Sequence, residues 1–265
     1  MKIYVCVKQV PDTSGKVAVN PDGTLNRASM QTITNPDDMN AVEAALKLKD
    51  ATGCKVTVVT MGPPPAAGML RELMAMGADE GVLVSAREFG GSDTYATSQI
   101  LAAAINKIGV EKDDIVLCGR QAIDGDTAQV GPQIACELGI PQITYARDIK
   151  VEGNKVTVQQ ENEEGYIVTE ANFPVLITAV KDLNEPRFPT IRGTMKAKRR
   201  EIPNLDAAAV AADDAQIGLS GSPTKVRKIF TPPQRSGGLV LKVEDDNEQA
   251  IVDQIMEKLV AQKII

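Results

Sequence analysis

The chain has 265 residues, 43% of them hydrophobic, and a formal net charge of −6 from 29 basic and 35 acidic residues. This length can bury a large core in one or two domains, and the acidic balance disfavours nucleic-acid binding. No apolar run approaches the roughly 20 residues of a membrane span, and the start, Met1–Val7, lacks signal- and transit-peptide features, so we expect a cytoplasmic protein.

The residue inventory excludes several classes of catalysis. Histidine and tryptophan are both missing, which removes His general bases, Ser-His-Asp triads, His-ligated haem and most catalytic zinc sites. The cysteines are scattered without a CxxC pair, and none is expected to be catalytic or to hold a cluster. Redox chemistry would therefore need a bound cofactor.

The first half of the chain alternates strand and helix patterns. Helices are predicted at Pro36–Asp50, with Asn35 as N-cap, at Pro65–Met76, at Ser92–Ile108, and in a segment ending near Leu138. The strands carry Val, Ile or Leu at both odd and even positions, which is typical of parallel strands buried on both faces. They are predicted at about Lys2–Val10, Lys55–Met61, Gly81–Ser85, Asp114–Cys118 and Ile143–Ala146. This alternation predicts an α/β fold with a doubly wound, mostly parallel sheet.

The pattern changes after residue 146. Ile149–Gln160 and Gly165–Ala179 indicate extended segments, predicted as an antiparallel hairpin or edge addition to the sheet. Prolines and Gly193 make Lys181–Asn204 a functional loop or a linker. Residues 206–236 are predicted to form an arm, and Asn247–Gln262 an amphipathic helix that needs a surface to cover.

The segment Cys118–Gln133 is the most informative motif. It starts where a predicted strand ends, which is where ligands bind in parallel α/β sheets. Asp126 and Thr127 are predicted N-caps of the next helix, whose free N–H groups could face a phosphate. The alternative is a tight Asx turn before a capped helix, which needs no ligand.

Two common phosphate-binding motifs are missing. The first strand is followed by Lys8–Thr13 and not by Gly-x-Gly-x-x-Gly, which argues against the ordinary nicotinamide-binding Rossmann fold. No Gly-x-x-x-x-Gly-Lys loop occurs in the sequence either. A nucleotide-hydrolysing enzyme of the P-loop type is therefore not expected.

Six segments occur in a specific order and spacing: Val7–Asp12, Asn35–Leu46, Gly119–Asp126, Phe173–Thr178, Leu183–Arg187 and Met195–Lys198. Together they resemble the beta subunit of electron transfer flavoprotein, over almost the whole chain. The resemblance implies a heterodimer with an alpha subunit that carries one FAD, and a beta subunit with an α/β domain of the adenine-nucleotide-binding type.

Within this family, respiratory members hold AMP and electron-bifurcating members hold a second FAD in the same place. The stretch Asp124–Gln133 resembles the bifurcating form, because respiratory members tend to have a further acidic residue where Gly125 stands. Small residues there would make room for a longer ligand. The resemblance implies that NADH reduces this FAD, that one electron passes to ferredoxin or flavodoxin, and that the other passes through the alpha-subunit FAD to a flavin-dependent dehydrogenase.

The motif and the resemblance together indicate a set of cofactor-binding residues. Lys8 and Arg120 are candidate charges near phosphate, with a solvated position as the alternative, and Asp93 could be a plain N-cap. The full set is Val7, Lys8, Gln9, Asn35, Asp38, Met61, Gly62, Asp93, Thr94, Cys118, Gly119, Arg120, Asp124, Gly125, Asp126, Thr127, Ala128, Gln129, Val130, Gly131 and Gln133.

A basic cluster spans Arg192–Arg200. It could be a nucleic-acid patch, although it lacks interleaved aromatics, or a solvated helix end. In the resemblance it is a recognition loop for the partner dehydrogenase, with Ile191 as an anchor and Leu183, Lys196 and Arg199 as further contacts. We expect residues 1–180 to form the FAD-binding domain, 181–205 the recognition loop, and 206–265 an arm and helix that pack on the alpha subunit.

Two other functions are open at this point. One is a respiratory-type carrier that holds AMP. The other is a stand-alone ATP-binding signalling module, which would need no alpha subunit.

Overall fold

The computed structural model describes residues 1–12, 31–210, 215–227, 238–244 and 247–265. The chain forms two compact units, Met1–Lys228 and Ile229–Ile265. Within the described ranges, no helix has the length and apolar character that crossing a bilayer takes.

The first unit is built on a large sheet. Its elements are β1 (Lys2–Cys6), β2 (Gln9–Pro11), β3 (Thr32–Thr34), α1 (Pro36–Thr52), β4 (Lys55–Met61), α2 (Ala67–Met76), β5 (Glu80–Val84), α3 (Thr94–Ile108), β6 (Ile115–Gly119), α4 (Val130–Leu138), β7 (Gln142–Glu152), β8 (Lys155–Asn162), β9 (Gly165–Asn172), β10 (Val175–Ala179), α5 (Ile191–Lys198), β11 (Asn204–Leu205) and α6 (Gly218–Gly221). The second unit contains α7 (Glu248–Ala261).

Among the described residues, nine strands form one sheet in the order β11-β5-β4-β1-β6-β10-β7-β8-β9. The strands from β11 to β7 are parallel to their neighbours. The strand β8 is antiparallel to both of its neighbours, β7 and β9. Residues of α1 and α2 bury one face of the sheet, and residues of α3 and α4 bury the other. The predicted doubly wound α/β fold with an antiparallel addition is confirmed.

The strand order reverses at β1. From β1 the chain moves outward through β4 to β5, and then returns to place β6 on the other side of β1. In open α/β sheets, the crevice outside the carboxyl ends of two such strands is the usual ligand site. Cys6, the last residue of β1, is in register with Cys118, the next-to-last residue of β6.

Two strand predictions were wrong in detail. The predicted strand Lys2–Val10 ends at Cys6, and Gln9–Pro11 pairs with β3 in a separate antiparallel ribbon. The predicted extended segment Gly165–Ala179 is divided, because Val175–Ala179 inserts between β6 and β7 as a fully buried parallel strand. Local pattern could not show this, since an apolar run fits a hairpin and a central strand equally well.

The segment Lys181–Asn204 was predicted to be irregular, but it contains α5. Thr190 caps this helix, because its Oγ1 accepts the N–H of Gly193 at 2.9 Å. Gly193 lets α5 approach α2, since a Cβ at this position would collide with the carbonyl oxygen of Ala75. The glycine serves close helix packing here rather than breaking the helix.

The segment after α5 adds an edge strand and packs on the first unit. β11 extends the sheet beside β5, and Val210 and Ile217 are buried in the core on the α3 side. Residues 211–214 and 228–236 of the predicted arm lie outside the described residues. The predicted C-terminal helix is confirmed as α7.

Candidate functional site

The carboxyl ends of β1 and β6 are joined by Asp38, in the first turn of α1. Its Oδ2 accepts the N–H of Lys8 at 2.7 Å, and its Oδ1 accepts the N–H of Gly119 at 2.9 Å. Lys8 follows the end of β1 by two residues and Gly119 is the last residue of β6, so both amides lie at the carboxyl ends of the two strands that flank the reversal in strand order. Asp38 therefore fixes the floor of the crevice where a ligand is expected.

The environment of Asp38 is dry, with only 6% of the residue exposed. Burial raises the pKa of this carboxyl to about 7, although the two backbone donors act in the opposite direction. Burial also raises the pKa of the neighbouring Asp37 carboxyl, which Arg120 partly offsets. The thiols of Cys6 and Cys118 are buried with raised pKa values, so they are poor nucleophiles here.

Asn35 holds the loop that follows β6. Its Nδ2 donates to the carbonyl of Gln121 at 2.8 Å, and its Oδ1 accepts the N–H of Ile123 at 3.0 Å. Asn35 occupies the N-cap position of α1, as predicted, but its side chain makes no capping hydrogen bond. The side chain positions the candidate binding loop instead.

The two predicted phosphate-facing cations both have acidic partners. Lys8 Nζ lies 2.7 Å and 2.9 Å from the two carboxylate oxygens of Asp124. Arg120 Nε lies 3.3 Å from Asp37 Oδ2. The pair of Lys8 and Asp124 neutralises the acid of the loop, which removes one source of repulsion toward an anionic ligand.

The predicted N-caps of α4 were wrong. The helix begins at Val130 with Gln129 at the N-cap position, and no side chain caps it. Asp126 and Ala128 instead adopt left-handed backbone angles, with φ of 49° and 54°. Asp126 Oδ1 accepts a hydrogen bond from Gln121 Nε2 at 2.8 Å, so its carboxylate closes the loop.

The later start of α4 also explains Pro132. This proline falls at the third helical position, where an intrahelical donor is not required. The uncapped first turn leaves its backbone N–H groups without side-chain acceptors. The segment that leads into α4 contains the exposed residues Thr127 and Gln129.

Three glycines around the loop differ in the space they have. A Cβ on Gly119 would collide with Asp38 Oδ1 and come within 2.6 Å of Asp38 N. A Cβ on Gly131 would lie 2.8 Å from both Cys118 Sγ and Thr178 Cγ2. Gly125 has nothing within 4 Å and is exposed, so its lack of a side chain leaves open space beside the loop.

Two polar atoms at the site are buried without a hydrogen-bond partner in the part of the chain that the structure describes. They are Arg120 Nε, whose contact with Asp37 does not have hydrogen-bond geometry, and Gln133 Oε1 in α4. Buried polar groups are rarely left unpaired unless a ligand, ion or water completes them. Together with the close glycines, they fit a polar ligand that lies along the loop.

The remaining predicted residues at this edge have structural contacts. The N–H of Val7 donates to Val59 O at 2.9 Å, and the N–H of Gly62, next to Met61, donates to Val84 O at 3.1 Å. Gln9 Nε2 donates to Thr32 Oγ1 across the small ribbon.

Asp93 has a full set of partners away from the loop. It caps α3 by accepting the N–H of Ala96 on Oδ1, and its Oδ2 accepts from both the N–H and the hydroxyl of Thr224. Its own N–H donates to Ser222 Oγ. Thr94 follows as the first residue of α3.

The predicted partner-binding residues form a separate surface. Ile191 is 85% exposed at the start of α5, and Lys196 and Arg199 are exposed on the same helix or directly after it. Leu183 packs against the core and is only partly buried.

Two contributors to the site were missed from sequence. Asp37 is not in the predicted set, and only the fold turns it toward Arg120. Thr178 lies in β10, whose place beside β6 could not be predicted. Its hydroxyl accepts the N–H of Tyr145 at 3.0 Å.

The fold and the crevice define the doubly wound α/β class with a site at the reversal in strand order. A family model described as "Electron transfer flavoprotein domain" matches residues 22–210. The chain is 77% identical to the "Electron transfer flavoprotein subunit beta" of Megasphaera elsdenii, over 100% of both chains. The chain belongs to the electron transfer flavoprotein family, and its high identity is to beta subunits.

Two further relatives are named as parts of reductase complexes. The "Acryloyl-CoA reductase electron transfer subunit gamma" of Anaerotignum propionicum is 59% identical, over 97% of this chain and 99% of its own. The "Caffeyl-CoA reductase-Etf complex subunit CarD" of Acetobacterium woodii is 49% identical with the same coverage.

Proposed function

We propose that this beta subunit holds FAD in the crevice at β1 and β6, as part of a cytoplasmic heterodimer with an alpha subunit that also carries FAD. The beta-subunit FAD would take hydride from NADH and divide the two electrons between a low-potential acceptor, ferredoxin or flavodoxin, and the alpha-subunit FAD. The latter would supply a flavin-dependent dehydrogenase.

The observation that carries this proposal is the set of unpaired groups and open space along residues 119–133. Arg120 Nε and Gln133 Oε1 have no hydrogen-bond partner within the described ranges, and the first turn of α4 is uncapped. Gly125 adds open space in the same loop. The pyrophosphate of a nucleotide can use Arg120 and the first turn of α4, because helix N-termini and Arg bind phosphate oxygens, while Gln133 Oε1 can accept a hydrogen bond from a donor group of the ligand.

Each residue has a distinct proposed role. Asp38 and Gly119 form the floor against which the adenosine part lies, and Asn35 holds the loop in place. Arg120 and the start of α4 bind the pyrophosphate. The chain's own side chains provide binding and orientation, while FAD, when bound, supplies the hydride and one-electron chemistry that no residue here can supply.

The relatives support the bifurcating branch and the partners. One is named as electron transfer subunit gamma of an acryloyl-CoA reductase, and another as a subunit of a caffeyl-CoA reductase-Etf complex. By analogy, we propose that this chain serves an acyl-CoA-type reductase, which α5 would contact through Ile191. The basic residues Lys196 and Arg199 would speed the encounter by attracting an acidic surface.

The test is to co-express the chain with its alpha subunit, denature the purified complex, and identify and count the released nucleotides. Two FAD per heterodimer are expected, with reduction of bound flavin by NADH. One FAD together with one AMP would identify the respiratory-type carrier and overturn the proposal. The family match already removes the stand-alone signalling module.

A further inference from the structure

Tyr145 has a backbone conformation that its side chain disfavours. Its φ is 57°, in the left-handed region, where a bulky residue is an outlier. It lies at an irregularity in the pairing of β7 with β10, and its N–H donates to Thr178 Oγ1 at 3.0 Å. Glycine would adopt this angle without strain, so the ring of Tyr145 is kept against a cost in backbone energy.

The strained residue lies close to the candidate site. The same Thr178 that accepts from Tyr145 has its methyl group against Gly131, in the first turn of α4. The helix α4 packs on β10 and also contacts β6 and β7. Tyr145 is therefore at the carboxyl edge of the sheet, one strand beyond the strand that lies under the start of α4.

The distance along this edge fits a dinucleotide. From β1 to β7 there are three strand-to-strand steps in the order β1-β6-β10-β7, or about 14 Å at the usual spacing of neighbouring strands. The floor at Asp38 lies at one end of this path, the first turn of α4 is in the middle, and Tyr145 lies at the far end.

Aromatic surface is scarce in this chain, which has four tyrosines, four phenylalanines and no tryptophan. Tyr145 is 38% exposed, so part of its ring is available for contact. Aromatic rings stack favourably on flat heteroaromatic groups and tolerate different ring systems.

We infer that the ring of Tyr145 stacks on the flat ring system at the end of the dinucleotide away from the adenine. This inference rests on the proposed function. It assigns the contact with the ligand's ring system to Tyr145, at the irregularity in the pairing of β7 with β10. The left-handed angle at Tyr145 is then the backbone conformation that presents the ring to the ligand.

The test compares four variants in the complex with the alpha subunit. Tyr145→Gly removes both the ring and the strain, Tyr145→Leu removes the ring and keeps the strain, and Tyr145→Phe keeps the ring. Tyr95→Leu is the matched control, because Tyr95 is a tyrosine of α3 that is 40% exposed, close to the exposure of Tyr145. Flavin loss on dialysis, bound-flavin fluorescence and the melting temperature of the nucleotide-free complex are measured.

Tyr145→Gly and Tyr145→Leu are expected to raise the dissociation constant of one flavin about tenfold and to increase the fluorescence of what remains bound. Tyr145→Phe and Tyr95→Leu should behave as the parent protein. Without nucleotide, Tyr145→Gly should melt about 2 °C higher, since strain is relieved. A purely structural role of the ring would instead lower stability and leave flavin affinity unchanged.

Several outcomes would overturn the inference. They are parental flavin affinity in Tyr145→Leu, equal flavin loss in Tyr145→Phe or Tyr95→Leu, and loss of the alpha subunit from both ring-less variants with flavin affinity unchanged. If Tyr145→Gly does not fold, Tyr145→Leu still decides. AMP in place of FAD in the parent complex would show that the proposed function itself fails, which the nucleotide count reveals before any variant is made.

Discussion

At the scale of single residues, Asp38 joins two strands through one carboxylate. In Asp38→Asn, one of the two oxygens becomes an NH₂ group, so either the Lys8 or the Gly119 N–H loses its acceptor. A buried donor without a partner costs about 1–3 kcal/mol. We expect this loss in the free energy of unfolding, measured by urea denaturation at pH 4.5, with Asp113→Asn as the control for losing an exposed carboxylate.

The same carboxyl predicts a pH dependence of definite sign. Its folded pKa of about 7 lies above the ordinary value of about 3.9, so the protonated form is favoured in the folded state. The stability that this group contributes is fully present below about pH 4 and is lost as pH rises through 7. The stability difference between the parent and Asp38→Asn should therefore shrink from pH 4.5 to 7.5, and a constant or growing difference would contradict the raised pKa.

Gly125 offers a separate test of the binding loop. Its position is open and its φ is not left-handed, so Gly125→Asp should leave the circular dichroism spectrum unchanged. The added charge beside a pyrophosphate should lower flavin content in the purified complex. Gly125→Ala is the control for the side chain without the charge, and parental flavin content in Gly125→Asp would remove this loop from the site.

At the scale of elements, α5 combines a tightly packed side with an exposed apolar one. Gly193 and Ala197 face α2 and the core, while Phe188, Ile191 and Met195 are exposed around the same segment. An exposed apolar group next to basic residues, on a helix fixed by close packing, has the features of a docking surface.

We expect Ile191→Ala to impair electron delivery to the dehydrogenase while leaving reduction by NADH unchanged. Truncating an interface anchor typically costs about 2 kcal/mol or more, mostly in dissociation rate. Stopped-flow reduction by NADH is compared with steady-state turnover, and Val226→Ala is the control, since Val226 is 83% exposed elsewhere on the first unit. Equal slowing of both half-reactions would assign Ile191 to the cofactor site or the fold.

The charges beside Ile191 should affect the rate of association with the dehydrogenase rather than the rate of dissociation. Lys196→Ala and Arg199→Ala are expected to slow association with the dehydrogenase and to weaken its salt dependence. Turnover at several ionic strengths measures this. A salt dependence equal to that of the parent would exclude electrostatic steering by these residues.

At the scale of the whole molecule, the described part of the second unit, residues 238–244 and 247–265, contains no buried residue. None of the residues of α7 is buried, and its exposed apolar residues include Val252, Ile255, Met256 and Val260. A single helix of this length is marginal in water unless its apolar side packs on another surface. We propose that this surface belongs to the alpha subunit.

Deleting residues 229–265 should therefore leave the first unit folded but prevent stable assembly. The truncated and full-length chains are each co-expressed with the alpha subunit and purified through a tag on it. Recovery of the truncated chain in parental amounts, with its flavin, would contradict the proposal. The full-length chain without its alpha subunit should be poorly soluble, and a stable flavin-saturated monomer would count against the same idea.

The sequence was sufficient where the information is local. Apolar runs of β4 and α1 gave element type and nearly the right bounds, and the Asp93 N-cap followed from residue type alone. The missing histidines excluded whole classes of catalysis without any coordinates. The resemblance in six ordered segments predicted the family that the comparisons confirm.

Tertiary structure alone decided which distant groups meet. The placement of β10 between β6 and β7, the turn of the Asn35 side chain toward residues 121–123 and the start of α4 at Val130 depend on packing and on hydrogen bonds between segments far apart in the chain. Asp126 and Thr127 have the composition of N-caps, yet the left-handed angles at Asp126 and Ala128 delay the helix. The residue type determines which hydrogen bonds a side chain can make. The path of the chain past Asp38 and Thr178 determines which of these hydrogen bonds form.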